Sequence, residues 1–416
     1  MKHWNGKVKA GALQYVLVIA IIIFIVLFAF VQLINLQQKL GVKKNLYQKA
    51  VLQADNGFRY LASKSIENNT IKKVQFSEND QEEVTIEQKY WGIFDVAKIT
   101  SKVNKETIKK VALIGNRIKD KKALYLVENN VPLVLVGHTK IIGKSYLSQR
   151  GVKPGNIAGN SFYGNTLIQG TTQQSETSLP KNKRIKEVSE RFSFLNKIQP
   201  NFELREGLKI VQSFYSKTLS YQDYLTIKLE DISLKGNIII TSSSKIIVKK
   251  TATLEDIILI APEVKIESGF QGNIQVFANQ KIQVEESVKL QYPSALILNY
   301  KKEKIESEDG IFINSRSDIR GVLAFLKKDD TKINYQPQIK LDSQVHITGE
   351  VYCEGNLELL GNVSGEVYAK NFITIQFGSK YINHIYNGSI NANNLVNQYV
   401  GLGLQSNQKS VAKWLY

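Results

Sequence analysis

Ile347-Thr348-Gly349-Glu350-Val351-Tyr352 and Val363-Ser364-Gly365-Glu366-Val367-Tyr368 carry the same Gly-Glu-Val-Tyr tetrapeptide, 16 residues apart, each behind an aliphatic residue. Looser copies of aliphatic-x-Gly stand at Ile319-Arg320-Gly321, Ile141-Ile142-Gly143 and Ile157-Ala158-Gly159. Alternating aliphatic pairs recur at Ile246/Val248, Val264/Ile266, Ile282/Val284, Ile311/Ile313, Ile339/Leu341, Leu357/Leu359 and Ile373/Ile375. Their steps are 16–18 residues, except for two long ones that polar inserts at 301–309 and 327–336 account for. A second ladder, Ile238/Ile240, Ile258/Ile260, Ile274/Val276 and Leu296/Leu298, falls between these pairs. Short strands of period 2 at this spacing predict a parallel β-helix, in which each coil supplies each strand once and the next coil stacks about 4.8 Å above it. Inward positions are then aliphatic, and glycine serves where backbones pack closely. Seven such coils make a rod of roughly 30–35 Å. A β-sandwich also has short strands, but neither a near-constant period nor a repeated tetrapeptide.

Upstream, no charge occurs from Ala10 to Gln38, and the stretch 15–31 holds no strongly polar side chain. About 20 residues at 1.5 Å each cross the hydrocarbon core, so 12–34 is expected to be a transmembrane helix. A cleaved secretory signal would be shorter and end in a small-x-small site; this run ends Ala29-Phe30-Val31-Gln32-Leu33. Lys2, Lys7 and Lys9 before the span nearly balance Lys39, Lys43 and Lys44 after it, so the positive-inside bias is weak. The expected orientation puts the short tail inside and the large C-terminal part outside, in the cytoplasmic (inner) membrane. Leu46, Ala50, Leu52, Ala54, Phe58, Leu61 and Ala62 continue at helix-compatible spacing.

The whole is expected to be mainly β: an N-terminal transmembrane helix with an amphipathic extension, then a parallel β-helix with helical and loop insertions. The expected divisions are a basic leader at 1–11, the span at 12–34, a helical stalk at 35–68, a β-rich or solenoid portion at 69–168, a polar loop and helical insertion at 169–225, the main β-helix at 226–390, and a tail or cap at 391–416. Within the insertion, helix-like patterns lie at 187–198 and 208–221. An open β-helix end exposes unpaired strand edges and calls for a cap.

The net charge of +18 over 416 residues is spread along the chain, its densest cluster being Lys181, Lys183, Arg184 and Lys186. No recognition helix, zinc finger or aromatic RNA-binding signature accompanies it, so no nucleic-acid partner is expected. The single cysteine, Cys353, excludes an intramolecular disulfide framework and aligns with Ala369 in the next coil, as a small core residue. His3, His138, His346 and His384 are isolated, with no metal-ligand spacing. No P-loop, dinucleotide fingerprint or nucleophile elbow is present. No catalytic residue, metal site or cofactor is expected. Strand alternation turns Val351 and Val367 inward and leaves Glu350, Tyr352, Glu366 and Tyr368 as an exposed outer ladder. Two carboxylates about 5 Å apart could share a proton, bind a cation or form an acid–base pair, and a tyrosine stripe could hold a sugar. The plainer reading is a solvated carboxylate ladder beside stacked tyrosines.

Lys7-Val8-Lys9-Ala10-Gly11 followed by Ala12-Leu13-Gln14-Tyr15-Val16 resembles the N-terminus of type IV pilins and type II secretion pseudopilins. The resemblance covers roughly the first 65 residues. It implies cleavage after the glycine, making Gly11/Ala12 the processing boundary. Most members carry glutamate at the fifth mature position, where this chain has Val16; minor tip subunits often lack it, and often carry a stretch like that from Ala50 to Gly57. The tail repeats resemble bactofilins, polymers built from such a β-helix. The first functional expectation is a non-enzymatic, membrane-anchored structural or assembly subunit, pseudopilin-like, its partners the bilayer and other membrane-anchored helices, as a homo- or hetero-oligomer. The second is a tethered β-helix that binds or cleaves surface polysaccharide. The third is a cytoplasmic-side, bactofilin-like polymer with an anchor.

Overall fold

The computed structural model describes residues 10–64, 66, 68–77, 81–181, 184, 187, 199–301, 306, 308–327, 335–404 and 408–415. They divide into two compact units. One takes in Met1–Arg59, Lys72–Ile86 and Ile99–Lys110; the other takes in Tyr60–Ile71, Glu87–Lys98 and Val111–Tyr416.

The first unit is built on α1, a 54-residue helix, Ala10–Ser63, about 80 Å long at 1.5 Å per residue. From Gly11 to Asn45 every side chain is exposed, and the helix is long and apolar enough to cross a membrane. Beyond that stretch Ala50, Ala54 and Phe58 become buried, four residues apart and so on one helix face. Gly57 lies on the packed side, where a Cβ would come within 2.9 Å of Ile99 and 3.2 Å of Val84. Lys49 and Gln53 both donate to the Glu82 carboxylate, and Lys110 pairs with Asp55 at 2.5 Å. The expected anchor and stalk are thus one unbroken helix, which ends at Ser63, short of the expected stalk end at 68.

The second unit is a parallel β-helix of three faces. On the first, Lys209–Gln212 pairs with Ser233–Gly236 and that strand with the start of Thr253–Ile260. On the second, Leu219–Asp223 pairs with Ile238–Ser242. On the third, the strands Ile227–Leu229, Lys245–Val248, Glu263–Ile266, Lys281–Val284, Gly310–Ile313 and Ile339–Leu341 stack in unbroken parallel register up to Leu357–Leu359. The first six aliphatic pairs read from the sequence sit in this ladder, and the two long steps leave it intact; the inserts lie largely outside the described residues. Inside, Ile282, Ile311, Leu296, Leu323 and Val351 are fully buried with their neighbours in one continuous core. Leu296→Ala leaves a cavity where neighbours on three faces converge, and should lower unfolding free energy by about 2–5 kcal/mol in urea titration.

The solenoid does not follow chain order. Its C-terminal coil, Asn362–Gln376, is covered on the first face by Ser389–Asn391 and on the second by Lys122–Leu126, from much earlier in the chain. His384–Tyr386 completes this coil on the third face, continuing in parallel to Leu133–Val136 and Val152–Pro154. Lys140–Ile142 then stacks on Ser389–Asn391, and Lys144–Leu147 on Lys122–Leu126, ending at Thr172–Gln174. One coil is therefore composite, closed from two distant chain segments. The seven coils expected from the sequence are extended at both ends, by 208–229 and by 122–175.

Four sequence readings are corrected. The helical pattern at 208–221 is instead the strands Lys209–Gln212 and Leu219–Asp223, because Leu208/Ile210 and Leu219/Tyr221 also satisfy period 2 and pack on the core. The companion pattern at 187–198 lies outside the described residues except Glu187. Ile258 and Ile260 face outward and Ile257 and Leu259 inward: Asp256 at φ 59° shifts the register by one. Ile373/Ile375 is not the seventh rung, since Leu357 pairs with Phe372 after a shift between Cys353 and Asn356. Ile157-Ala158-Gly159 is no coil corner but part of an antiparallel pairing, Asn156–Ile157 with Asn160–Ser161.

Candidate functional site at the solenoid seam

Glu350 and Glu366 are register partners on adjacent coils of the second face, as are Tyr352 and Tyr368. Val351 and Val367 point into the core, so the four do point out of the β-helix, as alternation requires. They are nevertheless not exposed: Glu350 is 0% and Glu366 1% accessible, and both tyrosines are equally buried. This overturns the expected solvated ladder. The reason is that the second face is covered. Its outward aliphatic residues, Ile239, Ile258, Ile297 and Val322, pack under Trp91, Ile93, Phe94, Val111, Leu113, Val400 and Leu402. That cover comes from strand segments of the same unit, 87–91, 94–98 and 111–117, with the C-terminal strands Val400–Gly401 and Lys409–Trp414 antiparallel to the last.

Each carboxylate holds a different piece of chain. Glu366 accepts from the Lys122 amide at 2.7 Å and from the Tyr368 hydroxyl at 3.0 Å, capping the first residue of the strand that closes the composite coil. Glu350 accepts from the amides of Leu402 at 2.6 Å and Gly403 at 3.3 Å. A Cβ on Gly401 would sit 1.9 Å from that carboxylate, so the residue must be glycine for the segment to come so close. Two tyrosines fasten the same segment: Tyr292 donates to the Val400 carbonyl and Tyr399 to the Gly321 carbonyl, each at 2.8 Å. Tyr352, Tyr368, Tyr125 and Tyr146 continue as an aromatic column across the composite coil, with centroids 6.3, 6.0 and 5.4 Å apart. Such stacks add to area burial.

Burial pushes Glu350 up to about 8, reinforced by the Glu366 charge. Burial likewise raises Glu366 to about 7, opposed by its bond from the Lys122 amide. The Tyr368 hydroxyl is raised by burial and by Glu366. The Lys122 ammonium has no hydrogen-bond partner among the described residues; it stands 5.0 Å over the Tyr146 ring. Burial lowers its pKa, and Glu366 opposes the change. Like-charged neighbours taken out of water favour protonation of at least one. The arrangement thus bonds backbone amides across a seam; a polymer chain has no route to either carboxylate.

The remaining candidates are dispersed. Gly11 and Ala12 lie within α1, with open space around Gly11. Cys353 is a buried core residue beside Ala369, its thiol pushed up to about 12 by burial. His138 stacks on Tyr163, His346 meets Ser364, and His384 bonds the Ile382 carbonyl; His3 lies outside the described residues. Among the described residues no three His, Cys, Asp or Glu side chains cluster as metal ligands. Of the basic cluster, Arg184 is buried against Asp95 at 2.5 Å and over the Tyr90 ring, and Lys181 pairs with Glu354 at 3.2 Å; Lys183 and Lys186 lie outside the described residues.

Sequence reasoning missed two buried polar nodes. Asp95 takes bonds from Arg184, Gln88, Asn68 and Lys409, four residues far apart in sequence. Gln275 accepts from the Ile93 amide at 2.9 Å and donates to the Trp91 carbonyl at 3.1 Å, locking the Trp91–Phe94 turn onto the solenoid. Its one signal was a polar residue between the aliphatic register neighbours Ile258 and Ala295. Comparisons with protein-family models, curated proteins and solved structures gave no match.

Proposed function

We propose that this chain is a non-enzymatic, membrane-tethered structural or assembly subunit, in which α1 is both the anchor and the surface that packs with the helices of partner subunits. One observation carries the reading: a single helix is predominantly apolar and exposed around its whole circumference from Gly11 to Leu36, then buries Ala50, Ala54 and Phe58 in a folded unit. A helix apolar all round needs lipid or other helices around it. The burial of Glu350 and Glu366 supports the non-enzymatic part, since it makes the best-placed carboxylate pair a backbone clamp. The Gly11/Ala12 boundary supports a pseudopilin-like subunit whose large part lies outside the cytoplasmic membrane.

Mass spectrometry of the protein isolated from its native membrane tests this reading. The mature chain is expected to begin at Ala12, and cysteine cross-linking from exposed α1 positions such as Leu17 and Phe24 should capture other membrane helices. An intact Met1 start contradicts the pseudopilin-like part. Protease added to intact spheroplasts should degrade the C-terminal part; its full protection would place it in the cytoplasm instead.

A further inference from the structure

In the first unit an open cleft of about 1080 Å³ lies between α1 and the Gln81–Glu83 and Lys102–Glu106 segments. Lys39 and Lys43 line it from the helix and Lys102 and Lys105 from the sheet, with Val42 and Leu46 as an apolar floor. Lys39 is the first charged residue after the charge-free run. At 1.5 Å per residue it follows Ile34, where the span ends, by about 7.5 Å along the axis, and Lys43 follows by about 13.5 Å. The polar headgroup layer on each side of a bilayer is roughly 5–8 Å thick, so a helix that spans 12–34 holds Lys39 at headgroup depth and Lys43 just beyond it, from where a lysine side chain reaches back. Val42 in the cleft and Leu40 and Tyr47 elsewhere on the same turns of α1 are each more than half exposed, the mixture of apolar and aromatic side chains that suits an interface. Two carboxylates also line the cleft. Glu83 is paired with Lys73 at 3.0 Å, which holds it below the usual carboxylate range. Glu106 leaves the lysines in excess.

Resting on the anchor reading above, we propose that this cleft binds the headgroups of anionic phospholipids, with Lys39, Lys43, Lys102 and Lys105 meeting the phosphate and the apolar floor meeting the upper acyl chain. Free phosphate satisfies the lysines alone. A lipid also satisfies Val42 and Leu46 and is already concentrated beside the span, so lipid is the occupant. Juxtamembrane lysines are attracted to anionic leaflets in this way, and the attraction holds for either orientation.

The full chain in detergent is first mixed with phosphatidylcholine vesicles and floated, then placed in nanodiscs of equal phosphatidylcholine and phosphatidylglycerol, and the lipid it retains is identified by native mass spectrometry. Flotation with the neutral vesicles is expected, followed by about tenfold preferential retention of phosphatidylglycerol. A K39Q/K43Q/K102Q/K105Q variant should float equally and lose the preference, while the all-arginine counterpart keeps it. Millimolar inorganic phosphate should leave the lipid in place. A chain that does not float overturns the anchor reading and this proposal with it. A chain that floats without lipid preference, a preference that survives in the glutamine variant, or displacement by phosphate overturns this proposal alone.

Discussion

Gly349→Ala is expected to destabilise the solenoid by at least about 3 kcal/mol, enough to unfold much of it near body temperature. Gly321, Gly349 and Gly365 form a column at the corner between the first and second faces, at φ 146°, 144° and 156°, a conformation that side-chain-bearing residues rarely adopt. A Cβ at Gly349 would stand 1.9 Å from the Gly321 carbonyl oxygen, and one at Gly365 would stand 1.8 Å from that of Gly349. The obstruction is backbone, which cannot rotate away as a side chain can. Gly143 and Gly170 hold the same corner beyond the composite coil, where a Cβ on Gly170 would meet the Gly143 carbonyl at 2.4 Å. Gly378 is the control: its φ is also positive, 76°, but nothing lies within 4 Å. Gly378→Ala should cost only about 1–2 kcal/mol. Urea unfolding followed by circular dichroism separates the two; equal losses would show that the corner column is not closely packed.

Stability should fall as pH rises from about 4.5 to about 8. Glu350 and Glu366 both have folded-state pKa values raised above the ordinary 4.5. Below 4.5 they are protonated in folded and unfolded chains alike, and their contribution is fully present. As pH climbs, the unfolded chain releases protons that the folded chain retains, and that contribution is lost through the folded-state values. Asp256 and Glu358, also raised by burial, act in the same direction. Glu255, lowered by Lys235 and Lys413 against its own burial, acts in the opposite sense and at lower pH. Each tenfold change in proton affinity is worth about 1.4 kcal/mol, so the seam should account for a loss of several kcal/mol. Glu350→Gln keeps an acceptor for the Leu402 amide but has no charge to bury, so it should flatten the profile and raise stability at pH 8 relative to the parent. Thermal unfolding at a series of pH values measures this; a parent whose stability rises across the same window would contradict the burial of the pair.

Much of the fold is legible in the sequence because a β-helix core tolerates little but aliphatic side chains, so Ile246/Val248 through Leu357/Leu359 declare their period. The corner glycines declare themselves for the same reason, since the neighbouring coil leaves no room for a Cβ. Parity fails where both sides of a strand are buried: Ile257, Ile258, Leu259 and Ile260 are all aliphatic, and alternation cannot say which face the core. Nothing local distinguishes Lys122–Leu126 as the strand that closes the coil after Asn362–Gln376, because that pairing is made by chain segments more than two hundred residues apart. The seam carboxylates were found by their repeat, and their direction was right. Their burial was not legible, because it depends on a covering sheet and on Val400–Gly401 folding back across them.

Alkaline carbonate extraction of membranes holding the full chain tests the central claim most directly. If α1 spans a bilayer, the chain stays in the membrane pellet, and a full-length variant with Ile22→Asp and Ile25→Asp, carrying two charges at mid-span, moves to the supernatant with its β-rich circular dichroism unchanged. A parent chain that carbonate releases as readily as the variant would contradict the claim that α1 is a membrane anchor.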